Sequence, residues 1–132
     1  MLFRSDLEAW RLAHELGKRV HCLETIPQQI ETLESISIPR IVNYLRRCRD
    51  WNRYTRRNMQ AYLRGDLDGM AGTSTEFPTR TEMVIHRRDV RFLEGMEPFL
   101  EAGRSLVLVG SVHLLNLRRM LAEKGYKIRR LR

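Results

Sequence analysis

Cysteine is scarce: Cys22 and Cys48 are the only two in the chain. Two cysteines make neither a disulfide framework nor a zinc ribbon, and the expectation is a pair of buried thiols. Long apolar runs are missing as well. No stretch reaches the ~18 residues of a membrane span, and the opening MLFRSDLEAW has no signal-peptide core. The expectation is therefore a chain without a transmembrane segment, cytoplasmic by default. Absent too are a glycine-rich phosphate loop, a nucleophile elbow, a Cys-x-x-Cys pair and a His-Glu-x-x-His pair. Their absence leaves no motif support for nucleotide-phosphate binding, elbow-type serine hydrolysis or thermolysin-like zinc chemistry. There are no internal repeats and no low-complexity tracts.

What is present suffices for one core. The 132 residues are 42% hydrophobic, as expected of a folded chain and of a single domain, 1–132. The net charge of +8 is local. Residues 40–64 hold eight arginines against one acid, Asp50, and residues 118–132 hold seven basic residues against Glu123. The remainder is acidic. Within 40–64, Arg46, Arg49, Arg53, Arg56 and Arg57 are candidates for binding an anion, with Tyr44, Trp51 and Tyr54 placed among them to stack on bases. The same pattern also describes a solvated helix packed along one seam.

The stretch Ser105 to Arg132 carries the strongest local signals. Leu106 to Val109 is a short, unbroken apolar run of the kind found in a strand covered on both faces. Gly110 ends it. Leu114, Leu117 and Leu121 recur at helical spacing, Gly125 stands where a helix stops, and Tyr126 to Arg129 reads as a second strand. The simplest arrangement is a right-handed βαβ unit. It would place His113 at the carboxyl end of a buried strand, where open sheets hold ligands.

Upstream, Ser5-Asp6-Leu7-Glu8 has the form of a capping box, opening a helix from about Asp6 to Leu16 that Gly17 ends. Lys18 to Thr25 reads as a strand with Glu24 near its carboxyl end. Thr25 and Gln28 are set to cap a short helix. Pro39 then begins a long basic helix to about Leu63, and residues 69–77 read as a flexible loop. A further helix runs from Pro78 or Thr79 to about Ala102, with Gly95 and Pro98 as places where it can kink or split. Asp89 lies in that helix's apolar stripe and needs a partner, because an unpaired buried carboxylate is expensive; Arg88 is the nearest candidate. The expected fold is α/β and helix-rich, with a small, mostly parallel sheet of about three strands under covering helices. So thin a sheet suggests a missing piece, and its open edge suits a homodimer.

Four stretches in order carry a resemblance: Leu23-Glu24-Thr25 with Gln29 and Leu33; Tyr62-Leu63-Arg64-Gly65-Asp66-Leu67; Arg88-Asp89; and Gly110-Ser111-Val112-His113-Leu114 followed by a helix and Gly125-Tyr126. Together the chain resembles the TraB/PrgY/GumN family, which includes the Tiki proteases. The resemblance implies the carboxyl-terminal part of a larger α/β domain of the erythromycin-esterase/ChaN-like kind. It further implies divalent-metal-dependent hydrolysis of a peptide substrate. Glu24 and His113 match the metal-binding positions, for Mn, Co or Zn, and Arg88 and Asp89 the catalytic pair. The chain departs from the family pattern in lacking an earlier Gly-x-x-His, since Arg11 and Lys18 stand three residues before His14 and His21. Half of the implied metal site is thus missing, and the implied reading is a partial or degenerate hydrolase, inactive as the isolated chain. The alternative is a non-catalytic protein whose basic helix, 40–64, binds nucleic acid or another anionic partner.

Overall fold

The structure, a computed structural model, describes residues 2–72 and 81–131. Its elements are seven α-helices among the described residues: α1 (Leu2–Glu15), α2 (Ile26–Glu34), α3 (Ile38–Arg46), α4 (Trp51–Arg64), α5 (Leu67–Gly72), α6 (Glu82–Ala102) and α7 (Leu114–Glu123). Short 3-10 turns at Cys48–Asp50 and Ser111–His113 lead into α4 and α7.

The helix boundaries follow from local chemistry. At α2 the Thr25 hydroxyl accepts the Gln28 amide at 3.4 Å, and the Gln28 side chain accepts the Thr25 amide at 2.8 Å. This reciprocal box satisfies two of the donors that a helix start leaves open. Thr81 caps α6 in the same way, accepting the Val84 amide at 3.0 Å. The helix then runs through Pro98 to Ala102 without splitting. Gly65 closes α4 in a left-handed conformation, φ 61°, which a side chain would strain. The Arg130 guanidinium packs against Gly65 and donates to the Arg64 carbonyl at 3.2 Å. A cation at the negative end of a helix is well placed, and it fastens the end of the chain to α4.

Several expectations are corrected. No strand and no sheet form among the described residues. Residues 18–25, 104–110 and 126–131 are extended or irregular but unpaired, so the α/β architecture, its three-strand parallel sheet and the βαβ unit are replaced by a helical assembly. The reason is physical. Extended conformation is favoured by local sequence, but a strand exists only where a neighbour completes its hydrogen-bond ladder, and these segments have none. The long basic helix is two helices, broken at Arg47 to Asp50. Part of the expected loop forms α5, and its remainder, 73–77, together with the expected helix start at Pro78 or Thr79, lies outside the described residues. The capping form at Ser5 lies inside α1, which starts at Leu2. Cys22 and Cys48 are exposed, free thiols rather than buried ones.

The core is small and centred on α6 and α7. Phe92, Leu93, Met96 and Leu117 form it, with Leu23, Leu100, Val107, Val109, Met120 and Leu121 packed around them. Val107 and Val109 therefore face inward from the extended segment, and Leu23 rests across Gly95. The Lys124 ammonium bonds Glu97 at 2.6 Å, tying α7 to α6, and that bond raises its pKa above the ordinary lysine value. Tyr54 and Ala61 on α4, Met70 on α5 and Val84 in the first turn of α6 are buried as well. Much apolar surface stays outside. The chain exposes 10755 Å², against about 7,300 Å² for a folded monomer of its mass.

Met96 sits in the middle of the small core, so Met96→Ala is expected to lower the free energy of unfolding by about 2–5 kcal/mol. Urea denaturation followed by circular dichroism reads this; a loss below about 0.5 kcal/mol, the range of surface substitutions, would mean the core is not packed as described.

Candidate functional site

Four residues singled out in the sequence meet along one side of α6. Arg88, Asp89 and Phe92 fall within four residues of one another, so their side chains share neighbouring faces of the helix. Asp89 is completely buried. Its Oδ1 is 2.6 Å from His113 Nδ1, and its Oδ2 accepts from Asn116 Nδ2 at 2.9 Å. Both carboxylate oxygens are thus engaged, which is what makes burial of this acid tolerable. The partner of Asp89 is the histidine 24 residues on, not the adjacent Arg88.

Arg88 turns instead to Glu24. Its Nε and Nη2 donate to the two carboxylate oxygens at 2.9 and 2.7 Å, a bidentate pair. The Glu24 side chain is only 4% exposed. The Arg88 guanidinium also lies 5.2 Å from the centre of the Phe92 ring, and the His113 ring meets the same phenylalanine edge-on at 5.0 Å. Two ion-pair-like contacts, Glu24–Arg88 and Asp89–His113, therefore flank one aromatic ring.

His113 is the last residue of the 3-10 turn that opens α7, and its backbone amide bonds the Gly110 carbonyl at 2.9 Å. Gly110 lies against the imidazole; a methyl group there would sit 3.6 Å from Cδ2. With a carboxylate, an acceptor only, at Nδ1, a neutral ring would carry its proton on Nδ1. Nε2 then presents a lone pair and has no hydrogen-bond partner among the described residues. This arrangement can accept a proton or ligate a cation through one atom.

The metal implied by the resemblance fits these residues poorly. A tetrahedral site needs three or four protein ligands, and no group of three His, Cys, Asp or Glu side chains is disposed to hold a metal among the described residues. Both oxygens of Glu24 are already committed to Arg88, and Asp89 to His113 and Asn116. Asn116 was not foreseen from the sequence. Its signal is its position three residues after His113, which puts the two side chains on one side of the turn and first helical residues.

The basic candidates are all on the surface. Arg53 bonds Asp50 at 3.1 Å, and Arg47 pairs with Asp50 and Tyr54. Arg46, Arg49 and Arg56 are exposed and make no ion pair among the described residues, and Arg57 is exposed beside them. The rings expected to stack on bases are occupied: Tyr44 and Trp51 stack on each other at 4.8 Å, and Tyr54 is buried. No helix among the described residues is long and apolar enough to cross a membrane.

In comparisons with known proteins, the profile of the TraB/PrgY/gumN family matches residues 2–130. No curated protein and no solved structure matches the chain.

Asp89→Ala removes the acceptor for one buried and one half-buried donor and is expected to cost about 3–5 kcal/mol. Asn116→Ala should cost about 1–2 kcal/mol, and the double variant less than the sum, because the two share one carboxylate. Urea titration of the three variants checks this; additivity would show that they are not one network.

Proposed function

The chain belongs to the TraB/PrgY/gumN family, and on that premise we propose that it retains the proton-transfer half of a hydrolase site without the electrophilic half. The observation that carries the proposal is the 2.6 Å contact between His113 Nδ1 and the buried carboxylate of Asp89. Asp89 holds the imidazole in one tautomer and orientation and would stabilise the imidazolium formed when Nε2 takes a proton. Asn116 keeps the carboxylate from rotating. A water or hydroxyl held at Nε2 would lose its proton there, the elementary act of general-base catalysis.

The second half of hydrolysis is stabilisation of the charge that develops on the substrate oxygen. Arg88 is the candidate for it, but Glu24 neutralises its guanidinium through both nitrogens. A positioned general base contributes about 10²–10⁴-fold, whereas enzymes typically achieve about 10⁶-fold or more. On this arithmetic the isolated chain falls short of enzymatic turnover, and the reading is a degenerate TraB-like hydrolase. A divalent ion would supply Lewis-acid chemistry if further ligands were brought to His113. The residues described do not provide them.

A second reading rests on Arg46, Arg49, Arg56 and Arg57, each exposed, on α3, the following turn and α4. It suits an anionic partner bound through charge alone. Because the neighbouring rings are occupied, binding would be insensitive to base identity.

Peptidase assays with and without Mn, Co or Zn test the first reading. The expected result is no metal-stimulated hydrolysis above that of His113→Ala; stimulated hydrolysis that disappears in His113→Ala would falsify the degenerate assignment. For the second, a mixed oligonucleotide should bind with an affinity that falls steeply between two salt concentrations and with no preference among base compositions. Weak salt dependence or no binding removes that reading.

A further inference from the structure

Three segments of the chain run without helix and without a ladder: residues 18–25, 104–110 and 126–131. Two of them carry the charges by which proteins protect bare strand edges. Lys18 and Arg19 begin the first, and Lys127, Arg129 and Arg130 occupy the third. The middle one carries a single charge, Arg104, at its start. From Ser105 to Leu117 there is no Asp, Glu, Lys or Arg at all, in a chain that is 30% charged.

The middle segment is also laid out as a strand would be. Val107 and Val109 pack on the core, while Leu106 is 84% and Leu108 56% exposed. Inward and outward side chains alternate with the period of two that defines a pleated strand. No backbone–backbone hydrogen bond reaches residues 105–109 among the described residues. The segment is held in place by its valines and by the Ser105 hydroxyl, which donates to the Phe99 carbonyl at 2.6 Å.

We infer that residues 105–109 pair, antiparallel and across a two-fold axis, with the same residues of a second copy of this chain. The sequence is self-complementary in that arrangement. With Val107 opposite Val107, Leu106 of each copy faces Leu108 of the other, and Arg104 faces the uncharged Gly110. Four exposed leucines cover one another, and no like charges meet within the ladder. A second copy suits the segment better than a charged partner, because the run has no charge to recognise one. The area supports it too. About 3,500 Å² of surface lies beyond what a monomer of this mass exposes, whereas a stable interface needs about 800 Å² from each partner. The pairing would end at Val109, four residues before His113 of the Asp89–His113 site. The inference does not rest on that site being catalytic.

Sedimentation equilibrium of the 132-residue chain is expected to show a reversible dimer. Leu106→Lys/Leu108→Lys, changed at exposed positions, should weaken dimerisation at least tenfold with unchanged helical circular dichroism. Leu63→Lys, equally exposed but on α4, should leave it intact. In the unmodified chain, the amides of 105–109 should gain at least tenfold protection from hydrogen exchange as protein concentration rises through the dimerisation range. That measurement decides the matter even if the double variant does not fold. A chain that stays monomeric, a dimer that survives the two lysines in a folded variant, or amides whose protection ignores concentration would overturn the inference.

Discussion

A carboxylate buried completely in a core this small sets the terms for its surroundings. Asp89 projects from α6 among Phe92, Leu93 and Met96, where an unpaired charge would cost several kcal/mol. It can stay only if donors come to it. The donors are His113 and Asn116, and bringing them in fixes the 3-10 turn at residues 111–113, the start of α7 and the angle at which α7 meets α6. Leu117, one residue beyond Asn116, is then carried into the core. The polar contact and the apolar packing thus specify the same geometry, and neither would be satisfied with α7 turned or shifted.

The Glu24–Arg88 pair does the corresponding work for the extended segment before α2. It sits one residue along from Leu23, which lies over Gly95, where the absence of a side chain lets the segment approach. The segment therefore needs no ladder to hold its place; one apolar contact and one bidentate ion pair suffice. The same holds for residues 105–109, pinned by two valines and a serine. This explains how chain stretches with strand-like composition lie on a helical core without forming a sheet.

What could be read from the sequence follows the range of the interaction involved. The box between Thr25 and Gln28, the stop at Gly17, the end of α6 at Ala102 and the family itself were all visible, because each depends on residues close together in the chain or on an ordered set of short motifs. Asp89's need for a partner was visible too, since an acid in an apolar stripe announces it. Which residue answers was not: Arg88 was near in sequence, but its side chain reaches the rim while His113 reaches the interior. The break between α3 and α4 is not legible, because Arg47 to Asp50 contains neither proline nor glycine to mark it. There the stacking of Tyr44 on Trp51 and the bond from Trp51 Nε1 to the Tyr44 carbonyl at 3.1 Å favour a bend over a continuous helix. The sheet was misjudged for a related reason. The unbroken apolar run Leu106 to Val109 favours extended chain but says nothing about whether a neighbouring strand exists.

The arrangement around Phe92 bears on what these side chains are free to bind. A cation arriving at Glu24 would have to displace Arg88 from both oxygens and leave that guanidinium without its partner. Breaking a largely buried pair in this way costs about 3–5 kcal/mol, or roughly two to three and a half powers of ten in binding constant. The same ion pair that anchors the segment before α2 therefore keeps both the Glu24 carboxylate and the Arg88 guanidinium from other charged partners. His113 and Asp89 escape this conflict, because their contact serves the core and leaves Nε2 uncommitted. The contact that stabilises the first pair occupies both of its carboxylate oxygens, whereas the contact that stabilises the second leaves one ring nitrogen without a hydrogen-bond partner among the described residues.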